Sequence, residues 1–405
     1  METLSAPSKR YNTARLFGGV HTMALELRRQ GESSPIAPHA LAGQPNVQTA
    51  SPSIDFAVKR LGVIMSAQTG DAREAWGVCN PGGARSPDGA MQIFPRIVAE
   101  GNFSRIGHAR VLFNSEMPVS VERLGIALEP LARYEVGPNG GGVEDARVVY
   151  VPVLERYVMT YTGYVPHEPR VAVAVSLDLV TWQRLGVLRY EAVPGGPDLN
   201  LCGNKDGAFF PEVVFDPAGV PSLGVLHRPT SRIHIHHGGA DVTMPPSGDE
   251  TQEHIWISYV PLDAVLKDIA SLTLVRRHER VMAPEQPWEE KKIGTGAPPV
   301  RVPYGWVLPY HAVSAPNGHS RYCMGAAILD LERPSRVLYR TPSPILEPQT
   351  EYERNGVVSD VVFPTAADLR ADGDLDVYYG AADRVVAAAR VTLPRGLPAL
   401  GTGGV

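Results

Sequence analysis

The sequence predicts an all-β fold, a five-bladed β-propeller behind an N-terminal extension. Three observations predict it. Gly and Pro are dense, at 40 and 37 of 405 residues, about a fifth of the chain against about 12% in an average protein. Pro removes a backbone donor and interior Gly weakens a helix, so long helices are disfavoured. From about residue 56 onward, short apolar runs alternate with Gly, Pro, Asp and Asn, the punctuation of strands and turns. Those runs also recur as a unit of four strands, the content of one propeller blade.

Residues 1–55 are rich in Ser, Pro, Ala and Gln, with one helical-looking patch at Met23 to Arg29. They form the extension, a candidate arm for homo-oligomer assembly, and residues 56–395 form the propeller. The first copy of the unit begins upstream, with Met91-Gln-Ile-Phe-Pro-Arg-Ile-Val and then Gly107-His-Ala-Arg-Val-Leu. The stretch 147–190 shows the unit whole. Its strands are Arg147-Val-Val-Tyr-Val-Pro-Val, Arg156-Tyr-Val-Met-Thr-Tyr-Thr, Arg170-Val-Ala-Val-Ala-Val-Ser and Trp182-Gln-Arg-Leu-Gly-Val-Leu. Second-strand echoes follow at Gly224-Val-Leu-His, Gly305-Trp-Val-Leu-Pro-Tyr-His and Leu375-Asp-Val-Tyr-Tyr-Gly. Third strands share a closing tag in Ser176-Leu-Asp-Leu, Pro261-Leu-Asp-Ala and Ile328-Leu-Asp-Leu. A pair of β-sandwiches is the alternative architecture for such runs. The five Trp residues read as anchors between blades, with Trp288 and Tyr310 set apart because they flank Lys292.

Composition excludes several functions. Hydrophobic residues at 43% suffice for a sizeable core. The net charge of −5 comes without any basic stretch interleaved with aromatics, so no nucleic-acid partner is expected. No run approaches the ~18 apolar residues that span a membrane, and METLSAPSKRYNTARLFGG lacks the apolar centre of a secretory signal. Cys79, Cys202 and Cys323 form neither a disulfide framework nor a metal-ligand spacing, which points to a cytoplasmic, reducing location. In Ile233-His-Ile-His-His, His234 and His236 share one strand face. Two histidines fall short of the three or four ligands of a zinc site, so no metal is expected.

Charged residues precede successive apolar or Gly-rich runs: Glu144 and Asp145, Lys205 and Asp206, Lys291 and Lys292, and Asp360. One Asp or Lys before a strand reads as a solvated turn residue. Recurrence in four units places them around one mouth of a propeller channel. Carboxylates and rings suit a sugar, and cleaving a glycosidic bond requires an acid at the leaving oxygen. A hydrolase adds a second carboxylate to activate water. A phosphorylase instead needs cations for phosphate, and Lys205, Lys292 and Arg170 are candidates.

Five segments occur in order: Gly142-Val-Glu-Asp-Ala-Arg147, Asn204-Lys-Asp-Gly-Ala-Phe-Phe-Pro-Glu212, His227-Arg-Pro229, Lys292-Ile-Gly-Thr-Gly-Ala-Pro-Pro299 and Tyr378-Tyr-Gly-Ala-Ala-Asp383. Together with Asn80-Pro-Gly and Ser104-Arg-Ile-Gly, they resemble glycoside hydrolase family 130, the mannoside phosphorylases and β-mannosidases, over about residues 75–393. The resemblance implies a five-bladed propeller with Asp145 as general acid, its proton relayed through a mannose hydroxyl. Phosphate then attacks from the opposite face to give α-mannose 1-phosphate with inversion. It also implies that Arg170, Lys205 and Lys292 bind phosphate. Sugar contacts fall on Asn80, Arg96, Asp206, His227, Arg228, Asp360 and Asp383. Arg105 and Asn204, within the matching segments, and Tyr310 and His311, ending a second-strand echo, are further candidate substrate contacts. Two features depart from the family pattern. Ala146 stands where Pro is usual, and the segment Tyr190 to Leu201 lengthens the path from Asp145 to Lys205.

The expected activity is inverting phosphorolysis of a β-mannoside, with inorganic phosphate as co-substrate and no cofactor. One alternative is an inverting β-mannosidase that uses water, with Glu212 as base. Another is a non-catalytic sugar-binding propeller, because fold alone does not fix function.

Overall fold

In the computed structural model of the chain, the described residues are 54–397 apart from 138–139, 166–167, 195–197, 231–232, 238–239 and 245–251. Strands dominate. The α-helices among the described residues, Leu262–Lys267 and Glu351–Arg354, are one or two turns long. None is long and apolar enough to cross a membrane.

The strands form antiparallel units of four. Unit 1 is Gly77–Arg85, Met91–Ala99, Phe103–Asn114 and Met117–Leu128. Unit 2 is Gly140–Val151, Arg156–Tyr164, Arg170–Ser176 and Gln183–Val187. Unit 3 is Asn204–Phe209, Pro221–Pro229, Ile255–Pro261 and Leu274–Met282. Unit 4 is Lys292–Thr295, Gly305–Ser314, Arg321–Leu329 and Val337–Arg340. Unit 5 takes three strands from the C-terminal region, Val362–Leu369, Leu375–Ala381 and Val385–Thr392. Its fourth is Ala57–Met65, which pairs with Val385–Thr392 from the other end of the chain.

Packing explains why the middle strands read as near-continuous apolar runs. Each hydrophobic cluster is shared by two units, so a middle strand buries both faces. Phe94 and Ile106 of unit 1 meet Val143 and Met159 of unit 2, and Val158 and Val173 meet Phe209 and Val225 of unit 3. Leu226 and Ile257 meet Trp306 and Leu308 of unit 4, and Val307 and Met324 meet Val377 and Ala387 of unit 5. Finally Tyr378 and Val386 of unit 5 meet Val78 and Ile93 of unit 1. Outer strands such as Met117–Leu128 are exposed or half-buried over most of their length instead.

The strand echoes fall where the sequence places them, with one correction. The first strand of unit 2 starts at Gly140, before Arg147, so Glu144 and Asp145 ride on the strand itself. The register slips between Glu144 and Arg147, and equivalent slips occur at Cys79/Gly82 and Lys205/Ala208. Each slip contains one residue with left-handed backbone: Asn80 (φ 44°), Asp145 (φ 52°) and Asp206 (φ 57°). Asn and Asp tolerate this conformation best among residues with a Cβ. The bulges re-aim these side chains out of the strand alternation. The candidate histidines His234 and His236 lie on a hairpin, Ile233–His237 with Ala240–Met244, and their side chains fall outside those described.

Candidate active site

The bulged first strands bring one polar pocket together, with a volume of about 170 Å3. Among its lining residues are Asn80, Arg96, Asp145, Lys205, Arg228, Lys292, His311 and Asp383, all expected site residues, drawn from every unit. Tyr322, Phe363, Val358 and Val361 supply its rings and apolar wall.

Asp145 is nearly buried and accepts a hydrogen bond from Asn80 Nδ2 at 2.9 Å. Arg96 comes within 3.6 Å of the same oxygen. Its shorter bonds go elsewhere: Nη2 to Glu144 at 2.7 Å and Nε to Ser104 Oγ at 2.8 Å. Burial alone would lower the Arg96 guanidinium, but Glu144 and Asp145 more than offset it and raise it above its ordinary range. The other Glu144 oxygen meets Lys205 Nζ at 3.3 Å. Lys205 also lies 5.1 Å over the Tyr164 ring, and Lys292 lies 5.7 Å over Tyr322. Both ammonium groups thus reach the pocket along an aromatic face.

The opposite wall is held by Asp206. It accepts from Arg228 Nε at 2.6 Å and Arg147 Nη2 at 3.3 Å, and His311 Nε2 lies 3.6 Å away. Burial pushes Asp206 up, but the Arg228 and Arg147 guanidiniums overwhelm it and hold the carboxyl well below the usual range. Arg228 makes a second ion pair with Glu253. Burial pushes His311 down to about 3, against the pull of Asp206 and helped by Arg228, Arg147 and Lys292, so its ring is neutral at pH 7. Gly294, on the first strand of unit 4, packs against this wall. A Cβ there would run into the Asp206 carboxylate and the His311 ring, which explains the glycine. Among the described residues lining the pocket, Asn80 Oδ1 and His311 Nδ1 are buried without a hydrogen-bond partner.

A model of glycoside hydrolase family 130, described as β-1,4-mannooligosaccharide phosphorylase, matches residues 52–395. The chain belongs to glycoside hydrolase family 130. It is 30% identical to a 1,2-β-oligomannan phosphorylase of Thermoanaerobacter sp. strain X514, over 74% of this chain and 82% of the relative. A β-1,2-mannobiose phosphorylase of the same organism is 29% identical, over 72% of this chain and 87% of the relative. Among solved structures, a Listeria innocua β-1,2-mannobiose phosphorylase bound to β-1,2-mannobiose superposes with TM-score 0.61 at 22% identity. That match covers 82% of this chain and 96% of the other.

The remaining candidates of this family 130 chain lie outside the pocket lining. Asp206 stands behind it, as do Asn204 and His227, which bond each other at 3.0 Å. His227 continues to Ser258 and His278, each link 2.8 Å. Asp360 has left-handed backbone (φ 58°) beside the lining residue Val361, and its carbonyl accepts from the Tyr322 N–H.

Four expectations are corrected. Arg170 opens the third strand of unit 2 and donates to the Cys202 carbonyl beyond the Tyr190 to Leu201 segment, so it is not a pocket cation. Arg228 lines the pocket instead. Arg105 pairs with Glu129 at 2.7 Å and lies over Phe103. The Tyr310 hydroxyl donates to Glu289 at 2.7 Å, with its ring against Trp288 in the core between units 3 and 4. Glu212 pairs with Arg301 at 2.8 Å, and Arg301 with Pro211 lines a separate cavity of about 680 Å3. Sequence reasoning assigned no role to Arg147, Glu253, Tyr322 or Phe363. For Arg147 the signal was present in the segment containing Asp145, whereas Tyr322 and Phe363 belong to no matching segment.

Proposed function

We propose that the chain is an inverting phosphorylase of a β-mannoside, with Asp145 as general acid. The observation that carries this reading is the composition of the pocket: Lys205, Lys292 and Arg228 face the cavity that also holds Asp145. Fixed ammonium and guanidinium groups recognise phosphate oxygens. Asp145, through a sugar hydroxyl, supplies a proton to the glycosidic oxygen as its bond to the anomeric carbon breaks. A phosphate oxygen bonds that carbon from the opposite face. The products are α-mannose 1-phosphate and the shortened sugar. The names of the relatives support a β-mannoside substrate.

The architecture we propose is a closed five-bladed propeller over about residues 56–395, following an extension at 1–55. The cyclic sequence of shared cores, ending with unit 5 against unit 1, supports closure. Three free, buried cysteines support a reducing cytoplasm as its location. Hydrolysis is the second reading. With Glu212 outside the pocket, its base would be Asp383, the other carboxyl among the lining residues.

The test incubates purified protein with β-1,2- and β-1,4-mannobiose, with and without phosphate. Mannose 1-phosphate that forms only when phosphate is present is the expected result. Free mannose at the same rate in both conditions would overturn it in favour of Asp383 and water.

A further inference from the structure

Glu144 precedes the proposed acid and is buried beside it, yet its own carboxylate bonds two cations rather than solvent. One oxygen takes Arg96 Nη2 at 2.7 Å, and the other takes Lys205 Nζ at 3.3 Å. Two further donors of Arg96 are also committed, Nε to Ser104 at 2.8 Å and Nη2 to Asn102 at 2.9 Å. As a result Nη1 stands 3.6 Å from Asp145, too far for a direct hydrogen bond. This matters for chemistry. A general acid must carry its proton at the working pH, and a guanidinium bonded directly to a carboxyl favours the ionised form.

We propose that Glu144 is a positioning residue for the acid step: it takes up Arg96 and Lys205 so that both cations share the pocket with Asp145 without hydrogen-bonding it directly. The inference rests on Asp145 being the acid. It applies to phosphorolysis and hydrolysis alike, because both protonate the leaving oxygen. The other charged groups facing this pocket are Lys292, Arg228 and Asp383, with neutral His311. Tyr322 also lines it, and Cys79 is buried close behind Asp145. Of these, Arg96 is the cation within ion-pairing distance of Asp145, and Glu144 makes its shortest bond.

With Glu144 neutralised, Asp145 becomes the carboxylate nearest to Arg96. Glu144→Gln is therefore expected to move the alkaline limb of the kcat/KM profile to lower pH by about one unit. Glu144→Asp keeps the charge and is expected to leave the limb where the wild type has it, even if kcat falls. A purely structural role would lower kcat equally across pH and leave the limb in place, which would overturn the proposal. Carbodiimide labelling of Asp145 against pH, read by peptide mass spectrometry, supplies a second measurement that requires no turnover. The labelling curve of Glu144→Gln should move with the limb, and coincidence with the wild-type curve would refute the positioning role. Full activity of Asp145→Asn would show instead that the acid assignment itself is wrong.

Discussion

Asp145 and Asp206 occupy equivalent bulges on the first strands of neighbouring units, with φ of 52° and 57°. Their surroundings differ. Asp206 is closed in by Arg228, Arg147 and His311. Asp145 has one amide donor from Asn80 and a guanidinium at 3.6 Å, and it lines the cavity. The backbone device that re-aims the carboxylate is therefore shared. What separates the anchoring carboxylate from the proposed acid is how many cations its neighbours direct at it.

The sharpest way to break this comparison is to neutralise each aspartate in turn. Asp145→Asn keeps the shape of the side chain, and we expect kcat to fall about 10²–10⁴-fold with little change in stability. Activity measured beside denaturant unfolding checks both halves of that expectation. Asp206→Asn should do the reverse in the unfolding assay. It leaves buried guanidinium groups short of a counter-charge, at a cost of about 3–5 kcal/mol. If the two variants lost stability equally, the division of roles would be wrong.

Asp383 sharpens the comparison through pH. Burial first, and then the Asp145 and Glu144 carboxylates, push it up to about 6 despite Arg96 and Lys205. Below its ordinary value of 3.8 the folded and unfolded chains both hold the proton, so nothing is lost. As pH rises from there to about 6, the unfolded chain ionises first and stability falls. Asp383→Asn removes that loss. We expect a gain of about 1–2 kcal/mol above pH 6, discounted because the carboxyl keeps some contact with water, and no gain at pH 3.5. Unfolding free energies at the two pH values decide it, and equal gains at both would contradict the assignment. The smallest effect belongs to Glu212→Gln. An exposed ion pair with Arg301 is worth at most about 1 kcal/mol, and mannoside turnover should be unchanged.

Much of this was legible in the sequence. The strand echoes located the units because a middle strand that buries both faces leaves an apolar run regardless of context. The position of Ala57–Met65 was not legible, since pairing with Val385–Thr392 leaves no local mark on either segment. Asp145 and Lys205 stood out as candidates because a bulged strand favours Asx, Gly and charged residues in a compact pattern, and both lie at such bulges. Arg170, Tyr310 and Glu212 were misread for one physical reason. A candidate residue type on a nearby strand says nothing about which partner claims the side chain, and Cys202, Glu289 and Arg301 claim these three. The reverse holds for Glu144, visible as an acidic residue but meaningful only once Arg96 and Lys205 are seen on its two oxygens.

The most direct measurement follows the first sugar product by 1H and 31P NMR, with wild type and Asp145→Asn on β-mannobiose and phosphate. The account predicts α-mannose 1-phosphate from the wild type and a loss of at least about 100-fold in the variant. A β-anomer as first product, or undiminished turnover by Asp145→Asn, would contradict it.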